Sequence, residues 1–311
     1  METRRSRWML IALYAVAVLV IAWAVALPLW NGSGLLSPWF GLTALAMMMT
    51  PAAVALVIVV FIERPRQRLV ALGLRPIRPW RRTLGYAFLG LMGMLLLCVV
   101  ALVVGTLIGA YPGDFAGLSE LRANTAIGDT ESVWPLVLTQ FGAIILASFV
   151  NLLPALGEEI GWRGWLLPKL LPSGIVPAVL VSGVLWGTWH APLLLLGYNY
   201  PAAPGWMAVL LMIGMCTIVG SLLGWLRVRS GSVWPPALAH GGLNAAASGT
   251  LYLFAADGVT VDTTQATILG WSGWIVPAVL VVALIASGSF QSPATATRFD
   301  IDTNERTHHV V

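Results

Sequence analysis

Long apolar stretches separated by short polar ones dominate the chain. Apolar runs recur at roughly residues 8–29, 39–62, 83–110, 134–167, 175–197, 206–226, 232–255 and 266–288. A helix rising ~1.5 Å per residue needs ~20 residues to cross a ~30 Å hydrocarbon core, so each run predicts a membrane-crossing helix. The expected fold is all-α, a polytopic membrane protein with about eight transmembrane helices. The fourth run is longer than one crossing needs, and Pro154 within it removes a backbone donor, which predicts a kink there. No internal repeat is visible. Residues 1–291 read as a single polytopic membrane domain. Residues 292–311 read as a polar, disordered cytoplasmic tail, with His308 and His309 exposed to solvent.

Composition agrees with this pattern. The chain is 58% hydrophobic and 10% charged, with a mean hydropathy of +0.85. A soluble domain carries about 25% charge, so a soluble globular protein is excluded. The net charge of +4 matters less than its placement. Arg4, Arg5 and Arg7 precede the first run, and Arg64, Arg66, Arg68, Arg75, Arg78, Arg81 and Arg82 follow the second. Arg163, Lys169, Arg227, Arg229, Arg298 and Arg306 fall on the same side of an eight-span arrangement. The other side has Arg122 among Asp114, Glu120, Asp129, Glu131, Asp257 and Asp262. The positive-inside rule then predicts a multi-pass plasma-membrane protein with both termini cytoplasmic. The arginine-rich loop reads as an orientation signal in contact with membrane lipids of anionic charge, and not as a nucleic-acid site. Trp8, Trp39, Trp80 and Trp134 stand at run ends as interface anchors. Cys98 and Cys216 lie in apolar runs and read as packing residues, and no cleavable leader is evident.

Against this background a few ionisable groups interrupt the apolar runs. Glu158, Glu159 and Arg163 occur within LLPALGEEIGWRGWLL, His190 within LWGTWHAP and His240 within PPALAHGGLN. A charge at bilayer depth costs at least ~2.5–3.5 kcal/mol, so these groups must pair, face water or do chemistry. Glu159 and Arg163 are four apart and can pair on one helix face, which leaves Glu158 turned ~100° away. His240 and Asn244 also share a face, and Pro235 and Pro236 suit the start of their helix. Pro192 deprives the Thr188 carbonyl of its helix donor and loosens the turn at His190. Counted from the cytoplasmic ends, Glu158, His190 and His240 lie ~16, ~20 and ~16 Å deep. Similar depths predict one shared site in a central polar cavity, which Trp162, Trp165, Trp186 and Trp189 either line or pack behind.

A carboxylate and an imidazole around a water can activate it as a nucleophile. A second His with an Asn on its face can donate hydrogen bonds to an oxyanion. In these motifs the sequence resembles the CPBP family, the intramembrane CAAX-protease and bacteriocin-processing proteins also called Abi. The family signature is EExxxR, FxxxH and HxxxN or HxxxD on successive helices. Here Glu158, Glu159 and Arg163 supply the first, His190 the second, and His240 with Asn244 the third, over roughly residues 134–255. The departure is Trp186, where the family has Phe. The resemblance implies an eight-helix intramembrane endopeptidase whose cavity opens to the cytoplasm and whose substrate is a peptide or membrane protein. In it Glu158 and His190 activate water, His240 and Asn244 form the oxyanion hole, and Glu159 and Arg163 support the site.

A zinc ion is compatible with the residue types, with Glu158, His190 and His240 as ligands. The chain has no HExxH pair, and His240 beside Asn244 looks suited to donating hydrogen bonds, so a metal-free site is the favoured expectation. Two other classes compete with the protease. One is a non-proteolytic membrane regulator or immunity protein on the same scaffold. The other is a transporter, against which the lack of visible inverted repeats counts.

Overall fold

The computed structural model describes residues 4–75, 79–125 and 131–290. The expected tail and its histidines, Arg298 and Arg306, and also Arg78 and Asp129, lie outside the described residues. Within them the chain is helical, with an isolated β-bridge between Gly113 and Ala255. Hydrocarbon offers the backbone no hydrogen-bond partners, and a helix satisfies its own amides and carbonyls. Each of the eight apolar runs contains a helix: α1 Arg4–Trp30, α2 Phe40–Val57, α3 Trp80–Leu107, α4 Trp134–Glu159, α5 Ile175–Trp189, α6 Gly205–Ser230, α7 Trp234–Gly249 and α8 Ile275–Ala286. Five helical stretches are long and apolar enough to cross a membrane: Arg4–Trp30, Phe40–Glu63, Trp80–Leu107, Trp134–Ser173 and Gly205–Ser230. The shorter ones are α5, α7 and α8, of 15, 16 and 12 residues.

The break that shortens α5 comes at Pro192, which has no amide for the Thr188 carbonyl. The His190 amide reaches back to Gly187 instead, and one further turn, Ala191–Leu194, follows. His190 therefore stands at the end of a helix and not within one. In α4 the winding also changes beyond Pro154. The helix continues past Pro154, which leaves the Val150 carbonyl without its donor, to Glu159, and the chain then winds as a π-helix from Ile160 to Leu166. In that wider turn the Leu167 amide bonds to the Trp162 carbonyl. The next donor in register would be residue 168, a proline with no amide. The carbonyl this leaves over belongs to Arg163, and Arg227 of α6 donates to it through Nε at 3.0 Å.

The helices that carry the motifs are clamped through glycine. A Cβ on Gly157 would meet the Met48 carbonyl oxygen at 2.9 Å, and one on Gly161 would collide with Pro51 and Tyr14. These two glycines, four apart, let α4 approach α2 closely. Gly183 and Gly187 do the same for α5 against Thr217 and Ile213 of α6, and Gly241 brings α7 onto Ser148 of α4. Small residues at helix contacts are what membrane packing favours, because lipid tails are as apolar as the side chains and close approach supplies the attraction.

The arginine-bearing segments gather at one end of the bundle. Glu63, where α2 runs out, pairs with Lys169 at 2.5 Å. Arg7 reaches Ser173 at 3.3 Å, and Arg82 bonds to the Arg229 carbonyl. At the other end, the loop after α3 is sewn to the loop after α7. The Asp114 amide bonds to the Phe254 carbonyl, the Ala256 amide to that of Pro112, and the Tyr111 hydroxyl to that of Leu251. A second small core lies there, built on Leu102, Tyr111, Val137, Leu253 and Phe254. Asp114 anchors its own turn. The Gly117 amide, helped by Ser119, holds its carboxyl below the usual carboxylate range. Trp39, Trp80 and Trp134 are exposed at helix ends.

Candidate active site

Glu158 and Glu159 occupy the last turn of α4 and are buried, at 1% and 0% exposure. Two carboxylates at that depth require partners, and each has a different set. Glu159 Oε1 takes Arg163 Nη1 at 2.6 Å, the expected pair on one face, and also His240 Nδ1 at 2.9 Å. A carboxylate can only accept there, so Nδ1 carries a proton and donates. Glu158 turns the other way, as its rotation on the helix predicts. Its Oε2 receives the indole N–H of Trp186 at 2.6 Å, and its Oε1 stands 4.0 Å from His240 Nε2.

Trp186 is the hub of this arrangement. Its ring stacks under the Arg163 guanidinium at 4.3 Å and meets the His240 ring edge-on at 5.2 Å. Its carbonyl accepts from His190 Nδ1 at 2.9 Å, which leaves His190 Nε2 free to accept or donate. Gly220 of α6 makes room behind it, since a Cβ there would come 2.7 Å from Arg163 Nη2 and 3.3 Å from the indole. The next tryptophan, Trp189, is tied to Thr50 of α2 at 3.1 Å. Trp162 and Trp165 pack around Tyr14 in the floor below.

Glu158, His190, His240 and Asn244 all line one cavity of about 850 Å³. The Asn244 side chain, half-buried, makes no hydrogen bond to another described residue. Among the described residues no lysine or arginine lines the cavity. Arg163 and Glu159 stay behind it as support.

The residues that a metal ion would need are Glu158, His190 and His240, and their donors are partly engaged within the site. One oxygen of Glu158 is taken by an indole N–H, and the other is 4.0 Å from the nearer His240 nitrogen. The outer nitrogen of His240 is committed to Glu159. Among the described residues no group of three His, Cys, Asp or Glu side chains is placed to hold an ion.

Three features of the site were not evident from the residue types. They are the Trp186 link to Glu158, the sharing of Glu159 between Arg163 and His240, and the π-wound turn between them. A signal for the first was present, since an indole at the family's Phe position adds a donor that Phe lacks. Trp186→Phe should therefore keep most of the packing and lose the hydrogen bond. Bonds to charged groups contribute ~1.5–3 kcal/mol. We expect kcat to fall on the order of ten- to a hundredfold with KM little changed. A fall in KM-dependent binding alone, measured with a fluorogenic peptide, would refute the positioning role.

Residues 129–246 match the family described as type II CAAX prenyl endopeptidase Rce1-like. The match spans rather more than a third of the chain and includes all six candidate residues. It supports the resemblance read from the three motifs. No curated protein matches the chain.

Proposed function

We propose that the protein is an intramembrane endopeptidase that hydrolyses a peptide bond with water activated by Glu158. The observation that carries this reading is the pairing of roles around one cavity. Glu158 is oriented by an indole donor, and His240 is oriented by Glu159. Water held between Glu158 and His190 Nε2 gives up a proton to Glu158 as it attacks the carbonyl carbon. The oxyanion that forms is met by His240 Nε2 and the Asn244 amide. Because His240 Nδ1–H already points at Glu159, donation from Nε2 calls for the doubly protonated ring. Glu159 is the counter-charge for it. Glu158 then returns its proton to the leaving amine, and the bond between carbonyl carbon and nitrogen breaks.

The support from the comparison is for a CAAX-protease-like enzyme in the membrane. The finer reading is ours: eight membrane crossings, both termini cytoplasmic, and a plasma-membrane location, with a peptide or membrane protein as substrate and lipids as surroundings. Substrate trapping on Glu158→Gln protein, followed by mass spectrometry of what stays bound, tests it. A trapped polypeptide that wild type cleaves supports the reading. Trapping that leads to no cleavage by wild type favours a non-proteolytic regulator. Chelator treatment of active protein is expected to leave the rate unchanged, and a loss restored by added zinc would reverse the metal-free assignment.

A further inference from the structure

We infer that the cavity is entered from the face opposite the arginine-rich loops, so that the substrate is a polypeptide segment at the extracytoplasmic surface. This rests on the endopeptidase reading and on the cytoplasmic placement of those loops. It departs from the cytoplasmic opening that the family resemblance implies.

Each lining residue can be placed along its helix. α2 contributes Ala44 and Met47, from its start, and not the residues near Glu63 that pair with Lys169. α4 contributes Gln140, Ile144 and Asn151 before it reaches Glu158. α5 contributes its end, and α6 its first half, Met212 and Met215. α7 contributes His240 onward to Gly249, and the loops that follow α5 and α7 complete the wall. Every one of these positions lies between the site and the face that carries Asp114 and Asp257. No described residue of segments 63–82, 163–175 or 227–234 lines the cavity.

The mouth and the floor agree. Ser248, Tyr252 and Thr260 line the cavity and are exposed. The loop that holds Tyr252 is braced by Tyr111 and by the Gly113 bridge, so the rim is a built part of the fold. Toward the basic face, Trp162, Arg163, Trp165 and Leu166 are buried at 2% exposure or less. Gly164 lies against the Leu72 carbonyl, and Arg227 seals the open carbonyl of Arg163. Water and substrate have a path to Glu158 from one side and a packed floor on the other.

The lining also bears on what enters. Among the described residues the cavity has no lysine or arginine along it, and its titratable polar lining beside Glu158 is His190 and His240. Uncharged groups such as Asn199, Asn244 and Thr260 suit the backbone of an internal, extended segment. A segment just outside the membrane end of an anchored protein has that form.

The test uses the full-length protein in intact cells. Ser248→Cys and Thr260→Cys are labelled with a membrane-impermeant maleimide, beside Arg75→Cys and the parent, whose Cys98 and Cys216 are buried. Labelling of the first two should be as complete before permeabilisation as after it, and Arg75→Cys should label only after. In parallel, new protein N-termini are compared between cells with wild type and with Glu158→Gln. Those lost in the variant should map to extracytoplasmic segments. Ser248→Cys that labels only after permeabilisation, or new N-termini on the cytoplasmic side, overturns the inference. External labelling with no difference in N-termini keeps the access route and overturns the endopeptidase reading.

Discussion

Glu158→Gln is expected to lower the cleavage rate by on the order of 10²–10⁴-fold, the range that a positioned general base contributes, while the protein stays folded. The amide preserves the volume of the carboxylate and offers an oxygen to the Trp186 indole, so the contact at 2.6 Å survives. It cannot take a proton from water. The deficit should therefore fall on kcat, with substrate binding retained, and the same property makes the variant a trap. Rates are to be measured on purified protein in nanodiscs with a peptide recovered by trapping. Cleavage within a few-fold of wild type would remove Glu158 from the reaction. The variant should melt close to wild type, because it relieves a buried charge and breaks no bond of Glu159.

Arg163→Ala is expected to be the more damaging change to stability. Its guanidinium bonds to Glu159, stacks on Trp186 and closes the space beside Gly220. Removing it leaves a buried carboxylate with only His240, and Glu159 Oε2 already lacks a partner. Breaking a buried ion pair costs ~3–5 kcal/mol. Thermal unfolding in detergent should show a large drop for Arg163→Ala and a small one for Glu158→Gln. Equal melting temperatures would contradict the supporting role. The double variant Arg163→Ala with Glu159→Gln should recover part of the loss, since the stranded charge goes with it.

Much of this site was legible because its chemistry is set by residue type and spacing. Four-residue spacing put Glu159 against Arg163, and the ~100° step turned Glu158 away. Pro192 marked the break at His190. The rest depended on packing between helices, which spacing along one helix does not determine. Nothing local says that the Trp186 indole points at Glu158, because that requires α5 to lie beside α4 at a given rotation. The sharing of Glu159 by His240 depends in the same way on how closely Gly241 lets α7 approach. Gly157 and Gly161 mark a close helix contact that only the packed structure reveals. The lengths of the helices were only partly legible. Apolar runs after residues 175 and 232 continue past the ends of α5 and α7, since hydrophobicity does not stop where a proline or a polar rim ends the helix. The side on which the cavity lies could not be inferred from depth counts, which measure distance from one face only.

The shortness of α5 has a consequence for the lipid around it. Its outward row is Val176, Leu180 and Val184, each between 44% and 49% exposed. From Val176 to Val184 the helix rises ~12 Å. On the proposed reading that α5 crosses a bilayer core ~30 Å thick, its 15 residues fall short of the full thickness, and the membrane beside this flank would thin or the helix would draw headgroups inward. Either adjustment brings polar solvent nearer to the end of α5, where His190 stands. Hydrophobic mismatch then becomes a setting for the enzyme: reconstitution in lipids of shorter acyl chain should relieve the deformation and favour the native packing of α5 on α6, and thick bilayers should oppose it.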